Sequence, residues 1–269
     1  MKKSLIIIFL SGSVFAQGPV DGFMKKKKEF SLGMSFTREK ASQLYSGPNL
    51  GSGGRTTRAL SFFGIYGITD KINVQVGIPY LDVNKGAQKG FQDGSIYLKY
   101  NVMTKKNKFG ELRAMLAAGY SDPLSQYETN NSSSIGQMAL AGDGRLVLHQ
   151  SFKSNIFATL QGGYLFKSDP TPNAVASSLK IGYAGNIYVD AYYEIIHAIG
   201  GTDYRGDGEL RPTADRGGFK GLGFGYQKIG GTVYYGLIDH LGVFGGVSYI
   251  LDGRNAFKNT GLNIGFVFQ

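Results

Sequence analysis

Apolar residues fall on every second position in one segment after another of this 269-residue chain. In GIYGITDKINVQVGIPYL, Ile72, Val74, Val76, Ile78 and Tyr80 alternate with Asn73, Gln75, Gly77 and Pro79. Before the Thr69-Asp70-Lys71 turn, Leu60, Phe62, Tyr66 and Ile68 keep the same parity. Successive side chains of a strand point to opposite faces, so this stretch predicts a hairpin with one apolar face. The rhythm returns at 30–36, 96–102, 112–120, 146–148 and 156–166, then on odd positions at 175–183 and 187–195, and finally at 262–268. No helical periodicity competes with it beyond the first residues. After those residues, no run reaches the roughly 18 apolar residues of a membrane-spanning helix.

The connections sort into two kinds. Short turns are expected at 69–71, 104–109, 151–154, 184–186 and 238–240, and longer polar or glycine-rich segments at 39–56, 82–92, 121–136, 167–174, 198–217 and 252–259. Short turns at one end and long loops at the other mark an outer-membrane barrel. If every short turn is periplasmic, both termini are periplasmic and the strand number is even. About twelve strands result, provided 218–238 is one long strand bulged near Gly230-Gly231, as glycine permits.

What the apolar face touches follows from the other face. A soluble sandwich would carry Lys and Glu on its outward positions, whereas here the alternate positions are rich in Gly, Ser, Asn, Gln and Tyr. Aromatics close both ends of the apolar face: Tyr66, Tyr100, Tyr183 and Phe268 toward one rim, Phe36, Tyr80, Tyr120 and Phe166 toward the other. Two aromatic girdles around an apolar band suit a bilayer, and a sheet in hydrocarbon must close to pair its edges. The expected fold is an all-β, antiparallel, up-and-down transmembrane barrel.

Composition adds to this picture. There are 41 Gly, 17 Tyr and 18 Phe and no Cys, which suits close-packed strands and removes any disulfide or thiolate metal site. The opening MKKSLIIIFLSGSVFAQG has a basic start, a short apolar run and small residues before a cut after Ala16, as in a secretory signal peptide. The expected organisation is signal peptide 1–16, a basic periplasmic segment 17–28 and a barrel over 29–269. Losing Lys2 and Lys3 lowers the net charge from +10 to +8. The Lys25–Lys28 run reads as a solvated tail near anionic lipid phosphate. Expected partners are outer-membrane lipid, lipopolysaccharide, the barrel-insertion machinery and a small hydrophobic solute. No cofactor or metal and no nucleic acid is expected. The loop TDYRGDGELRPTADRGG contains Arg205-Gly206-Asp207 but lacks calcium-loop spacing.

The terminal GLNIGFVFQ resembles the C-terminal signal of outer-membrane barrels, with Gln269 following the usual final aromatic. Tyr66-Gly67-Ile68-Thr69-Asp70, Ile78-Pro79-Tyr80, and the segment from Gly90 to Tyr100 with Asp93 and Lys99 resemble motifs of one family. This is the outer-membrane barrel family named for the meta-cleavage pathway of phenol degradation. The resemblance implies a barrel passing hydrophobic or aromatic small molecules.

If the apolar face meets lipid, its neighbours face the lumen. The polar candidates are Asn73, Gln75, Lys99, Asn101, Glu111, Arg113, Asp143, Arg145, His149, Gln161, Lys180, Asp190 and Glu194. They can build either an interior network of salt bridges or a charged solute path. Phe63, Ile65, Met115, Phe157, Leu165, Tyr188, Tyr192 and Ile196 are apolar on the same side, and either pack the interior or line a pocket for an apolar solute. The reading is a passive channel or transporter, with a non-conducting surface-binding barrel as the alternative and a phospholipase-like enzyme as a remote one. For the last, the best pair is Ser177 and His197. A turn pairing Tyr183 with Ile187 places His197 opposite Asn173, about 13 Å from Ser177 along the strand, against the roughly 3 Å that catalysis needs.

Overall fold

The computed structural model describes residues 20–129, 132–204 and 218–269. The expected signal peptide and the Arg205-Gly206-Asp207 tripeptide lie outside the described residues.

Antiparallel strands follow in sequence order: β1 (Phe30–Ser46), β2 (Asn49–Thr69), β3 (Ile72–Val83), β4 (Gln88–Phe91), β5 (Asp93–Asn107), β6 (Gly110–Pro123) and β7 (Ala141–Phe152). They continue with β8 (Ile156–Lys167), β9 (Ala174–Ala184), β10 (Ile187–Ala198), β11 (Gly225–Ile238), β12 (Leu241–Arg254) and β13 (Phe257–Phe268). Each pairs with its sequence neighbours, except that β4 and β5 both pair with β3 and not with each other, and β1 pairs with β13, so the sheet closes. β4 and β5 lie in line along β3 and form a single wall strand, which makes a barrel of twelve. The break between them has a local cause. Pro79 accepts from the Gln92 amide (3.0 Å) but has no N–H to return, so the ladder lapses opposite it.

Parity decides which face is which. Leu32, Ile96, Leu116, Leu160, Ile181, Val233, Leu262 and Ile264 are all exposed on the outer surface, and residues between them are buried. An exterior made of exposed Leu, Ile, Val and Phe is stable only against hydrocarbon, so this is a membrane-spanning barrel. Inside, the narrow bore is filled by large side chains lying across glycines of the next strand. A Cβ on Gly33 would come within 2.1 Å of the Phe63 ring, and one on Gly119 within 2.1 Å of Tyr97. Part of the glycine content is therefore space for inward aromatics.

Three expected loops are instead hairpins. β1 and β2 run to Ser46 and from Asn49, leaving only Gly47 and Pro48 as the turn where 39–56 reads as a loop. Segment 82–92 is mostly β3 and β4, and 252–259 shrinks to a turn at 255–256. Beyond the bilayer both faces of a strand can be polar, so alternation fades while the backbone ladder continues. Residues 218–238 do supply one wall strand, but it starts at Gly225, after a 3-10 turn over Gly218–Gly221. No bulge sits at Gly230-Gly231, which pair regularly with Tyr192 and Ala191. Gly230 instead makes room for the Tyr192 phenol, which an added Cβ would meet at 2.3 Å. The register shifts fall near Gln227/Lys228 and Gly236/Ile238.

Candidate functional site

The lumen is divided between a chain segment and a cavity. Lys26, Lys27 and Lys28 are exposed, in keeping with a solvated tail, but Lys25 is buried and residues 20–25 run inside the barrel rather than beside it. The segment enters at the end where the strands begin and end. There the Lys27 amide donates to the Asp70 carboxylate in the β2–β3 turn (3.0 Å). Further in, Asn73 makes two hydrogen bonds with the Lys25 backbone, accepting from its N–H (2.8 Å) and donating to its carbonyl (3.0 Å). Gln161 donates to the Val20 carbonyl (2.7 Å).

Lys99 is the centre of this docking. Its fully buried ammonium meets the Asp21 carboxylate at 2.7 Å and the Asp21 carbonyl at 3.0 Å, and also donates to the Phe23 carbonyl. The apolar side chains of the segment complete the seal. Phe23 lies edge-on to His149 (4.5 Å) and Phe157 (5.0 Å), in a cluster with Phe63, Tyr188, Tyr234 and Phe244. Val20 packs with Tyr97, Met115 and Val147. Together, β2 and every strand from β5 to β13 contribute a side chain to the two apolar clusters that contain Phe23 and Val20. Gly22 has no room for more, because a Cβ there would come 2.1 Å from His149 Nδ1.

Four further ion pairs form on the lumenal wall. Arg145 binds Asp143 two residues before it (2.8 Å), and Asp143 also accepts from the Tyr97 hydroxyl (2.9 Å). Lys180 reaches Asp190 on the adjacent strand (3.8 Å), and Lys228 reaches Glu194 (3.2 Å), whose carboxylate also accepts from Tyr226 (2.6 Å). Arg113 and Glu111 form a half-buried pair near the turn end (2.6 Å). His149 contacts Thr159 and Ser151 through its two ring nitrogens (2.7 and 3.0 Å). Gln75 is buried, and Asn101, at the register shift near Met103, is half-buried and donates to Thr104 (2.8 Å).

At the loop end the bore widens into a largely apolar cavity of about 540 Å³. Leu165, Tyr192 and Ile196 line it, whereas Phe63, Met115, Phe157 and Tyr188 belong to the clusters that contain Phe23 and Val20, and Ile65 is buried elsewhere. Glu39, Arg55, Asp93 and Lys167 also line it. Sequence reading missed Glu39 and Arg55 because it took 39–56 as loop, and the continued strand places both inside. Two loop segments roof the cavity. Arg55 donates to the carbonyls of Ser132 (2.9 Å) and Ser134 (2.8 Å), and Tyr127 donates to Asp93 (2.7 Å) while packing on Leu81, Val83 and Ile135. Burial beside the Asp93 carboxylate pushes the Tyr127 phenol well above its usual range. From the other loop, Tyr204, Phe219 and Leu222 pack on Leu44.

Ser177 and His197 are closer than the expected register allows. His197 pairs with Val175, so Ser177 is two positions away rather than four. Such diagonal neighbours are still about 7–8 Å apart, too far for proton transfer.

These features define a membrane-spanning barrel with an occupied lumen at one end and an apolar cavity at the other. No family model matches the sequence, and no curated protein matches it. Among solved structures, the chain is similar to an outer membrane channel from Pseudomonas putida F1, with TM-score 0.71 and 13% identity over 93% of this chain and 99% of that one. It is also similar to the NanC porin, with TM-score 0.56 and 9% identity over 88% and 99% of the two chains. At these identities the likeness is one of fold.

Proposed function

We propose that this chain is a passive outer-membrane channel or transporter for small hydrophobic or aromatic molecules, with both termini on the periplasmic side. The observation that carries the reading is the cavity at the loop end, largely apolar, roofed by loops and large enough for a one- or two-ring solute. Motif resemblance to the phenol-pathway barrel family and a fold shared with the Pseudomonas channel support it. The plug formed by residues 20–25 favours a second reading, a barrel that does not conduct and whose loops bind partners. Vesicles carrying the purified protein separate the two. Accelerated entry of toluene or a similar aromatic over protein-free vesicles is expected. Unchanged entry, together with no single-channel conductance, refutes the transport reading.

A further inference from the structure

The outer wall carries a cluster of cations toward the loop ends of β1, β2, β4 and β13. Outward positions of β1 and β2 pair Phe36 with Leu60, and one step toward the loops they pair Arg38 with Arg58. Two guanidinium groups directly opposite each other across a ladder are destabilising unless an anion lies between them. Lys40 follows on β1. Lys258 stands on the outer face of β13 beside Tyr249, with its ammonium 6.0 Å from the ring centre, and Lys89 stands on β4. Arg38, Lys40, Arg58 and Lys89 are exposed, and no ion pair forms at any of these five cations among the described residues. Asp82 is the acid of this patch. It pairs in register with both Arg58 and Lys89, and its carboxylate accepts from the Gly86 amide (2.6 Å).

An apolar floor adjoins the cations. Leu262 pairs in register with Arg38, and Phe36, Phe62, Phe91 and Ile264 are exposed toward the strand middles. Neighbouring strands are about 4.8 Å apart, so the cations from β13 to β4 span a headgroup rather than a single small ion. Guanidinium pairs favour bidentate phosphate contacts. We propose that this face binds one phosphorylated glycolipid of the outer leaflet, its sugar phosphates held by Arg38, Arg58 and Lys40 and its acyl chains lying on the β1–β2–β13 floor. The site rests on the orientation proposed above, which places the loop end in the outer leaflet.

The test is a binding titration of the full barrel in neutral detergent, read by native mass spectrometry. Purified lipopolysaccharide, the same lipid with its phosphates removed, phosphatidylglycerol and inorganic phosphate serve as probes. Each cation near a membrane phosphate is worth about fivefold in affinity. The R38Q/R58Q double variant is therefore expected to bind lipopolysaccharide roughly 25-fold more weakly. The periplasmic-end variant K105Q/K108Q is expected to match the parent. Equal binding of the dephosphorylated lipid by the unmodified protein overturns the proposal without recourse to any variant. So does equal binding by R38Q/R58Q, or binding of inorganic phosphate at the same concentrations as the lipid. Tighter binding of phosphatidylglycerol refutes the choice of lipid. Protease accessibility of the 124–140 loop on intact cells reads the orientation separately, so a failure of either part is distinguishable.

Discussion

Replacing Lys99 with Met tests whether residues 20–25 are a latched plug. In the docked state the ammonium is fully buried against the Asp21 carboxylate and two backbone carbonyls. Methionine fills much the same volume but leaves the Asp21 carboxylate buried without its counter-charge, a loss of about 3–5 kcal/mol. The penalty applies only while the segment is docked, because a released Asp21 is solvated by water. The docking equilibrium should therefore move toward release by roughly two to three and a half orders of magnitude, at about 1.4 kcal/mol per tenfold.

Hydrogen exchange reads this directly. The Lys25 amide is held across to the wall by Asn73 Oδ1 (2.8 Å), and the Phe23 amide is held within the segment by Asp21 Oδ1 (3.1 Å) and shielded from water by the docked position. In K99M their protection should fall by about a hundredfold or more, while amides of the β6–β7 ladder keep theirs. Asp21→Asn should have a smaller effect, because Lys99 retains both carbonyl acceptors. Unchanged protection at Phe23 and Lys25 in K99M would show that Lys99 does not hold the segment.

Two further substitutions probe neighbouring parts of the lumen. Gly22→Ala brings a Cβ to 2.1 Å from His149 Nδ1 and 2.7 Å from Thr159 Oγ1; overpacking of about 1–3 kcal/mol should raise single-channel conductance, and His149→Ala in the same chain should reverse it. Arg55→Ala removes two charge-assisted hydrogen bonds to the 124–140 loop, each worth about 1.5–3 kcal/mol; limited proteolysis should then cut that loop at least tenfold faster, and an unchanged rate would mean that packing of Tyr127 and Ile135 alone holds the roof.

How much of this was legible depends on which solvent each residue meets. Within the bilayer one face must be apolar, so parity located the wall strands and the inward positions of residues such as Asn73, Lys99 and His149. Above it that pressure lifts, and the β1–β2 hairpin looked like a loop although its backbone pairs to Ser46 and Asn49. The plug has no periodicity at all. VDGFMK becomes structure only through partners 48 to 141 residues away in the chain, Asn73, Lys99 and Gln161 among them. Lys228 was missed for a different reason. A bulge expected at Gly230-Gly231 leaves the parity upstream of it undefined, and Lys228 sits on the lumenal side because no such bulge exists.

That missing lysine explains why the barrel needs its plug in this position. From sequence, the lumenal acids Glu111, Asp143, Asp190 and Glu194 balance Lys99, Arg113, Arg145 and Lys180, which suggests an interior that closes on itself. With Lys228 taking Glu194, the pairing shifts. Arg113, Arg145, Lys180 and Lys228 each find one of these four acids on their own strand or the next, so none of the four is left for Lys99, whose ion pair among the described residues is with Asp21. A buried ammonium without a counter-ion is costly, so the wall favours whatever segment brings an acid to that depth. Asp21 is that acid. Its position two residues before Phe23 ties the charge to the aromatic seal, so sliding the segment by one residue would break the ion pair and misplace the ring together.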